Sequence, residues 1–317
     1  MTTFTDEPLA RIIEVLRGRL GTLEAGERLT FRALDPDLGV GLFAGEFTEI
    51  NGVRYRHRPL RSWLDLAERL GCRLHTPESN PESGRVLINL SFSKLGEGSW
   101  HSGPAGGKTA SDPAASETYG QASEFARVQK LEEPTFWLDY TEALERTNLE
   151  PNSRVLSLGV GRGDELEPFE RVFRDYNLNF TGVDHSASAL AAARERFPGA
   201  NCRFLEADMR DLQGLELGRF DLILSVATFQ SPGVAGHTLI RELVQHFLTA
   251  GGSLIVALPN CRYQDGEVRF GARMKNFAQP DLSLVVKDLA FYRKYLYQHR
   301  FKVFLTGKYY LFLTAVR

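Results

Sequence analysis

The sequence predicts a doubly wound α/β fold, a seven-stranded and mostly parallel sheet, with a smaller α+β domain ahead of it. Three observations carry this. From about Asn152 onward, runs of strand character alternate with runs of helical period. The strand runs VLSL, LILSV and SLIVAL are continuously apolar, as strands covered by helices on both faces must be. The first strand passes through the glycine-rich turn LGVGRGDE before helical period resumes.

The elements follow in order. Leu9, Ile12, Ile13, Leu16 and Leu20 lie at helical spacing within Glu7 to Leu20, and Gly21 supplies a stop. The short apolar stretches LTFRAL, VGLFAGEFTEI and VRYRHRPL come next, then SWLDLAERLGC at helical period and RVLINLSF as a strand, together a small α+β domain over residues 1–95. Glycine, serine, alanine and proline then dominate and no period survives, so residues 96–118 are expected to be a linker or a mobile lid. The main domain is expected over residues 119–317. EFARVQKL and PTFWLDYTEALERTNL read as helices, with Pro134 suited to a helix start. There follow strand RVLSLGV, helix ELEPFERVFRDY, strand NFTGVDH, helix SALAAARERF, strands CRFLEAD and FDLILSV, helix HTLIRELVQHFLTA and strand SLIVALP. Helix KDLAFYRKYLYQHR leads into FKVFLTGKYYLFLTAVR, where the turn at Gly307 and Lys308 is short enough only for an antiparallel hairpin.

Composition narrows the function classes. Apolar residues at 43% and charged residues at 25% describe a folded soluble protein, and a net charge of -2 gives no overall basic excess for a polyanion. Cys72, Cys202 and Cys261 are scattered and odd in number, which implies neither a disulfide framework nor a zinc site and suits a reducing cytoplasm. The first twenty residues have early acids and no signal-like apolar core, and no window approaches the roughly 20 apolar residues of a membrane span. A cytoplasmic protein is the expectation.

The chemistry concentrates at strand ends. Gly159, Gly161 and Gly163 lie between a buried strand and a helix, where a side chain would block close approach of a ligand. Their G-x-G-x-G spacing differs from the G-x-G-x-x-G of dinucleotide binders, and the helix opens with Asp164 and Glu165, acids that repel a diphosphate but suit a cation. The second strand ends in Asp184, where an acid accepts hydrogen bonds from a ribose diol, a helix N-cap being the alternative. Asp208, ending the third strand, is placed to face an adenine amine, and the Met209 amide to meet a ring nitrogen.

With the fourth strand and its sequel FDLILSVATFQ, these elements resemble, over roughly residues 119–317, the class I S-adenosylmethionine-dependent methyltransferase superfamily. The resemblance implies S-adenosylmethionine as cofactor and methyl transfer as activity. It implies that Ser225, Val226, Ala227 and Thr228 flank the cofactor, that Gln230 approaches the substrate, and that His185 is a pocket wall. One departure stands out: the family commonly carries an acid two residues before the first glycine, where this chain has Ser157, leaving Asp164 or Glu165 to compensate.

For the acceptor, a small molecule leads. ATFQSP after the fourth strand is not the Asp/Asn-Pro-Pro-aromatic box that orients exocyclic amines, and Cys261 in LPNCRYQ reads as a half-buried loop thiol. Methyl transfer needs alignment more than a base, so the catalytic candidates are few: His237, as a base for a hydroxyl acceptor or as a helix cap, with Gln230 and Thr228. No metal is expected. Arg54, Arg56, Arg58 and Arg61 flank Tyr55, His57 and Trp63, a mix that grips RNA or an acidic substrate if the alternating arginines share one strand face, or else guards a solvated edge. RFGARMK and FYRKYLYQHRFK carry a similar mix. The competing readings are an RNA- or protein-modifying methyltransferase and a non-catalytic S-adenosylmethionine-binding regulator; glycine spacing disfavours a nicotinamide-dependent oxidoreductase.

Overall fold

In the computed structural model, which describes residues 1–79, 85–96, 128–231, 233–264, 266–271 and 282–317, the chain divides into two units. One comprises Met1–Ser99 with Tyr263–Arg269; the other comprises Trp100–Arg262 with Phe270–Arg317. Residues 97–127, which hold most of the expected linker or lid and the start of EFARVQKL, and the end of RFGARMK lie outside the described residues.

The first unit contains β1 (Thr2–Thr3), α1 (Leu9–Leu20), β2 (Arg28–Leu34), β3 (Phe47–Ile50), β4 (Val53–Arg56), α2 (Leu60–Arg69), β5 (Cys72–Leu74), β6 (Glu78–Ser79) and β7 (Leu87–Lys94). Alternation builds its core. Leu29, Phe31 and Ala33 of β2 and Ile88, Leu90 and Phe92 of β7 face Ile12, Leu16 and Leu20 of α1 and Trp63 and Leu66 of α2. Phe31 is central, its ring 5.6 Å from those of Phe4 and Trp63 and 5.1 Å from that of Phe92. The sheet runs β1-β2-β7-β5 with β6 also on β7, and β3 pairs with β4 apart from it. Strands β1, β5 and β6 are two or three residues long, too short to show a period. The returning segment is tied in by Glu267, 2.6 Å from Arg73, and by Arg269, which donates to the Glu68 carbonyl at 2.8 Å.

The second unit contains α3 (Pro134–Glu145), β8 (Arg154–Leu158), α4 (Glu167–Val172), β9 (Asn179–Asp184), α5 (Ala187–Arg196), β10 (Cys202–Glu206), β11 (Phe220–Val226), α6 (Gly236–Glu242), β12 (Leu248–Pro259), β13 (Cys261–Gln264), β14 (Glu267–Phe270), α7 (Leu282–Gln298), β15 (Lys302–Thr306) and β16 (Tyr310–Val316); the middle of the β13–β14 hairpin belongs to the first unit. Its sheet has seven strands in the order β10-β9-β8-β11-β12-β16-β15. The strands from β10 to β12 pair in parallel, while β16 runs antiparallel to both β12 and β15, the doubly wound sheet with the C-terminal hairpin. Strand order reverses between β8 and β11, the crevice where open α/β sheets bind ligands.

Three local readings differ from the structure. ELEPFERVFRDY is a 3-10 turn, Asp164–Leu166, followed by an α4 that stops at Val172, and Asn177 adopts φ 47° beyond it. In HTLIRELVQHFLTA the α-helix ends at Glu242 and widens into a π-turn, Leu243–Phe247, because Leu248 is already paired with Phe220 in the sheet. The β13–β14 hairpin has no counterpart in the sequence reading. No helix among the described residues is long and apolar enough to cross a membrane.

The terminal hairpin depends on its glycine. Gly307 sits at φ 97°, and a Cβ there would collide with the Tyr310 carbonyl oxygen. Tyr310 and Phe312 of β16 in turn pack on Phe136 of α3, at 4.9 and 5.5 Å between ring centres. Gly307→Ala is expected to cost about 1–3 kcal/mol, read as a lower midpoint in thermal or urea unfolding followed by circular dichroism.

Candidate functional site

The backbone leaving β8 turns through Gly159 (φ 72°), Gly161 (φ 52°) and Gly163 (φ 83°), a left-handed path that side chains disfavour. The three glycines serve different ends. A Cβ at Gly159 would overlap the Thr228 hydroxyl and lie 2.9 Å from its methyl, and one at Gly163 would lie 2.7 Å from the Phe197 ring. At Gly161 nothing stands within 4 Å. The space beside Gly161 is open, whereas Gly159 and Gly163 abut the side chains of Thr228 and Phe197.

Asp184 controls this turn. Its Oδ2 accepts the Gly161 N–H at 2.8 Å and its Oδ1 accepts the Ser186 N–H at 3.0 Å, while Gly159 N–H donates to the Val183 carbonyl at 2.8 Å. The N-cap of α5 is Ser186, whose hydroxyl accepts from Ala189 N–H, so the cap alternative for Asp184 does not hold. His185 lies half-exposed with Nδ1 3.4 Å from the same carboxylate.

The two acids that open the following turn part company. Asp164 is bound to Arg162 at 2.8 Å and to Arg196 at 2.5 Å, so its charge is neutralised inside the protein and does not compensate for Ser157. Glu165 points inward. It is 4% exposed, its carboxyl accepts from the Ser157 hydroxyl at 3.4 Å, and Tyr140 donates to its carbonyl at 2.8 Å. Burial pushes the Glu165 carboxyl up to about 7, with the Lys130 ammonium opposing and the Asp164 and Asp184 carboxylates adding to the rise.

Across the crevice, Ser225 donates its hydroxyl to the Leu158 carbonyl at 3.3 Å, and Thr228 shares its hydroxyl between that carbonyl at 3.2 Å and the Val226 carbonyl at 3.1 Å. Val226 and Gln230 are buried, and Ala227 holds φ 61° with its N–H on the Ala257 carbonyl at 2.8 Å. Asp208 lies past the end of β10, and both of its oxygens are taken by Arg210, whose Nε lies 2.9 and 2.8 Å away; this pairing holds the Asp208 carboxyl below the usual range. Met209 is buried with its side chain in the main core. His237 caps nothing: its Nε2 meets Asp288 Oδ1 at 2.9 Å and its ring stacks on Phe291 at 3.9 Å.

The arginine run does not form one face. Only Arg54 and Arg56 are on β4, their guanidinium carbons 3.5 and 4.5 Å from the Phe47 ring centre. Arg58 is buried over Trp63 and donates to the Glu7 carbonyl at 2.6 Å, and Arg61 pairs with Asp65 on α2 at 3.0 Å. Cys261 is fully buried at the start of β13 rather than half-buried in a loop.

Residues 155–252 match a family model described as a methyltransferase domain. Among curated relatives, trans-aconitate 2-methyltransferase of Paracidovorax citrulli (strain AAC00-1) is 32% identical over 123 residues, which cover 39% of this chain and 45% of that protein. The enzyme of the same name from Rhizobium etli is 34% identical over 120 residues, 38% of this chain and 43% of that protein. The matched stretch thus spans less than half the length of these relatives. Phosphoethanolamine N-methyltransferase 2 of Haemonchus contortus, solved in complex with S-adenosyl-L-methionine, superposes with a TM-score of 0.46 at 12% identity, covering 98% of this chain and 81% of that one.

The buried acid sets a pH dependence. A glutamate in the unfolded chain titrates at 4.5 and Glu165 in the folded protein at about 7, so between these values the folded state keeps a proton that the unfolded chain has released. Stability therefore falls as pH rises through this window and levels off above it. Glu165→Gln should gain on the wild type by up to about 3 kcal/mol between pH 4 and 8 in urea melts. Parallel pH curves for the two proteins would contradict this.

Proposed function

We propose that the second unit is a class I S-adenosylmethionine-dependent methyltransferase domain and that the chain transfers a methyl group from S-adenosylmethionine to a small-molecule acceptor, a reading supported by the methyltransferase-domain match over residues 155–252 and by the order of the sheet. The observation that carries this reading is the turn at Gly161, open and clipped by Asp184, where strand order reverses. The bound cofactor would supply a methyl group on a positively charged sulfur, open to in-line displacement.

The residues present fit such a ligand. Gly161 leaves room for close approach to the backbone, and Asp184, having accepted two N–H groups, keeps lone pairs for ribose hydroxyls. We assign Asp208, oriented by Arg210, and the Met209 backbone to the adenine end, and His185 to the wall beside the ribose. Ser157, Gly159 and Gly163 shape the turn, while Ser225, Val226 and Thr228 form the floor with Gln230 toward the acceptor. An acceptor that is already an anion, such as a carboxylate, needs alignment and exclusion of water and no base. For a hydroxyl acceptor, His237 oriented by Asp288 is the base we assign.

The matched relatives are named for trans-aconitate, which makes that acid the first acceptor to assay. An RNA acceptor finds less support, since Arg58 and Arg61 are engaged within the first unit and only Arg54 and Arg56 share a strand. We place the protein in a reducing cytoplasm, a reading supported by three cysteines that form no disulfide.

Two measurements test the reading. Incubation with cofactor labelled on its methyl group should label a fraction of small metabolites; label in RNA or protein alone would overturn the acceptor class, and cofactor binding without turnover would favour a regulator. Asp184→Ala should weaken S-adenosylmethionine binding in calorimetry by about 1–3 kcal/mol, and unchanged affinity refutes its assignment.

A further inference from the structure

Glu165 is a buried acid that forms no ion pair among the described residues. Its carboxyl is nearly inaccessible and has the Ser157 hydroxyl as its side-chain partner. Its sequence neighbour Asp164 has two arginines. A buried carboxyl in this state either stays protonated or meets a cation. The groups around it do not settle the matter: Lys130 and the backbone N–H of Glu165 itself favour the charged form, Asp164 and Asp184 oppose it, and the Tyr140 hydroxyl is turned to the Glu165 carbonyl instead. The turn that bears it is the one with open backbone at Gly161.

We propose that Glu165, steadied by the Ser157 hydroxyl, binds the ammonium group at the amino-acid end of S-adenosylmethionine, so that the acid absent from position 157 is supplied from position 165. The inference rests on the cofactor reading above. On binding, the Glu165 O–H bond breaks, its proton passes to the buffer, and the carboxylate formed accepts N–H bonds from the ammonium. Ser157 is suited to this arrangement, because a hydroxyl at the base of the turn donates to a carboxylate, where an acid would repel it.

Calorimetry on the full chain separates the possibilities. The two probes are S-adenosylmethionine and 5′-methylthioadenosine, which keeps the nucleoside and sulfur but lacks the amino acid. Glu165→Gln should weaken S-adenosylmethionine by roughly 10- to 100-fold and leave methylthioadenosine within about twofold. Adding Ser157→Asp to Glu165→Gln should recover most of the loss. Titrating the wild type near pH 6 in two buffers of different ionisation heat should show proton release with S-adenosylmethionine and none with methylthioadenosine, a readout that survives if a variant fails to fold. Equal weakening of both probes, or no proton release, overturns the role of Glu165 while leaving the cofactor reading intact. Failure of the wild type to bind either probe overturns both.

Discussion

Asp184 stands at the carboxyl end of β9 with 6% exposure, and a carboxylate so placed must find donors within the protein. It takes them from two backbones, the turn after β8 and the entrance to α5. At the two points it holds, Gly161 has no side chain of its own and the Ser186 hydroxyl is engaged at Ala189. One side chain on a neighbouring strand therefore joins the turn to the helix entrance, beside the backbone bonds from Gly159 and Val160 to the Val183 carbonyl. Charge-assisted bonds of this kind are about twice as strong as neutral ones.

The opposite wall is fastened to the same point. Leu158 ends β8, and its carbonyl receives both the Ser225 and the Thr228 hydroxyls. Thr228 reaches that carbonyl only because Gly159 leaves space for it, and Ala227 accepts an uncommon φ to bring it there. The two loops at the switch point are thus one packed assembly, with the glycine of one loop fitted to the threonine of the other.

Much of this was legible in the sequence, and the boundary has physical causes. Continuous apolar runs announced β8, β11 and β12, and the short turn at Gly307 announced the hairpin. The glycines announced a tight turn, yet spacing alone cannot tell a glycine that admits a ligand from one that admits Thr228 or Phe197, since those partners are distant in sequence. Asp208 with Arg210, two residues apart, could have been read as a pair from spacing; the bond from Arg196 to Asp164 could not. Arginines at alternating positions suggested a face, but β4 stops at Arg56 and Arg58 turns inward over Trp63. Helix ends were blurred where the sheet took over, as at Leu248, because pairing with Phe220 outweighs local helical preference.

The chain leaves the second unit after Arg262 and re-enters it at Phe270, having lent Tyr263–Arg269 to the first. The first unit is therefore not a contiguous cassette. A recombination event or a gene-level swap that exchanged residues 1–99 alone would separate Arg73 from the Glu267 it grew up with and strand the Glu68 carbonyl without Arg269. Modules cut by a single crossover can be traded freely among scaffolds; one sewn in at two places is inherited with its host. Any transplant of the small unit has to carry Tyr263–Arg269 along with residues 1–99.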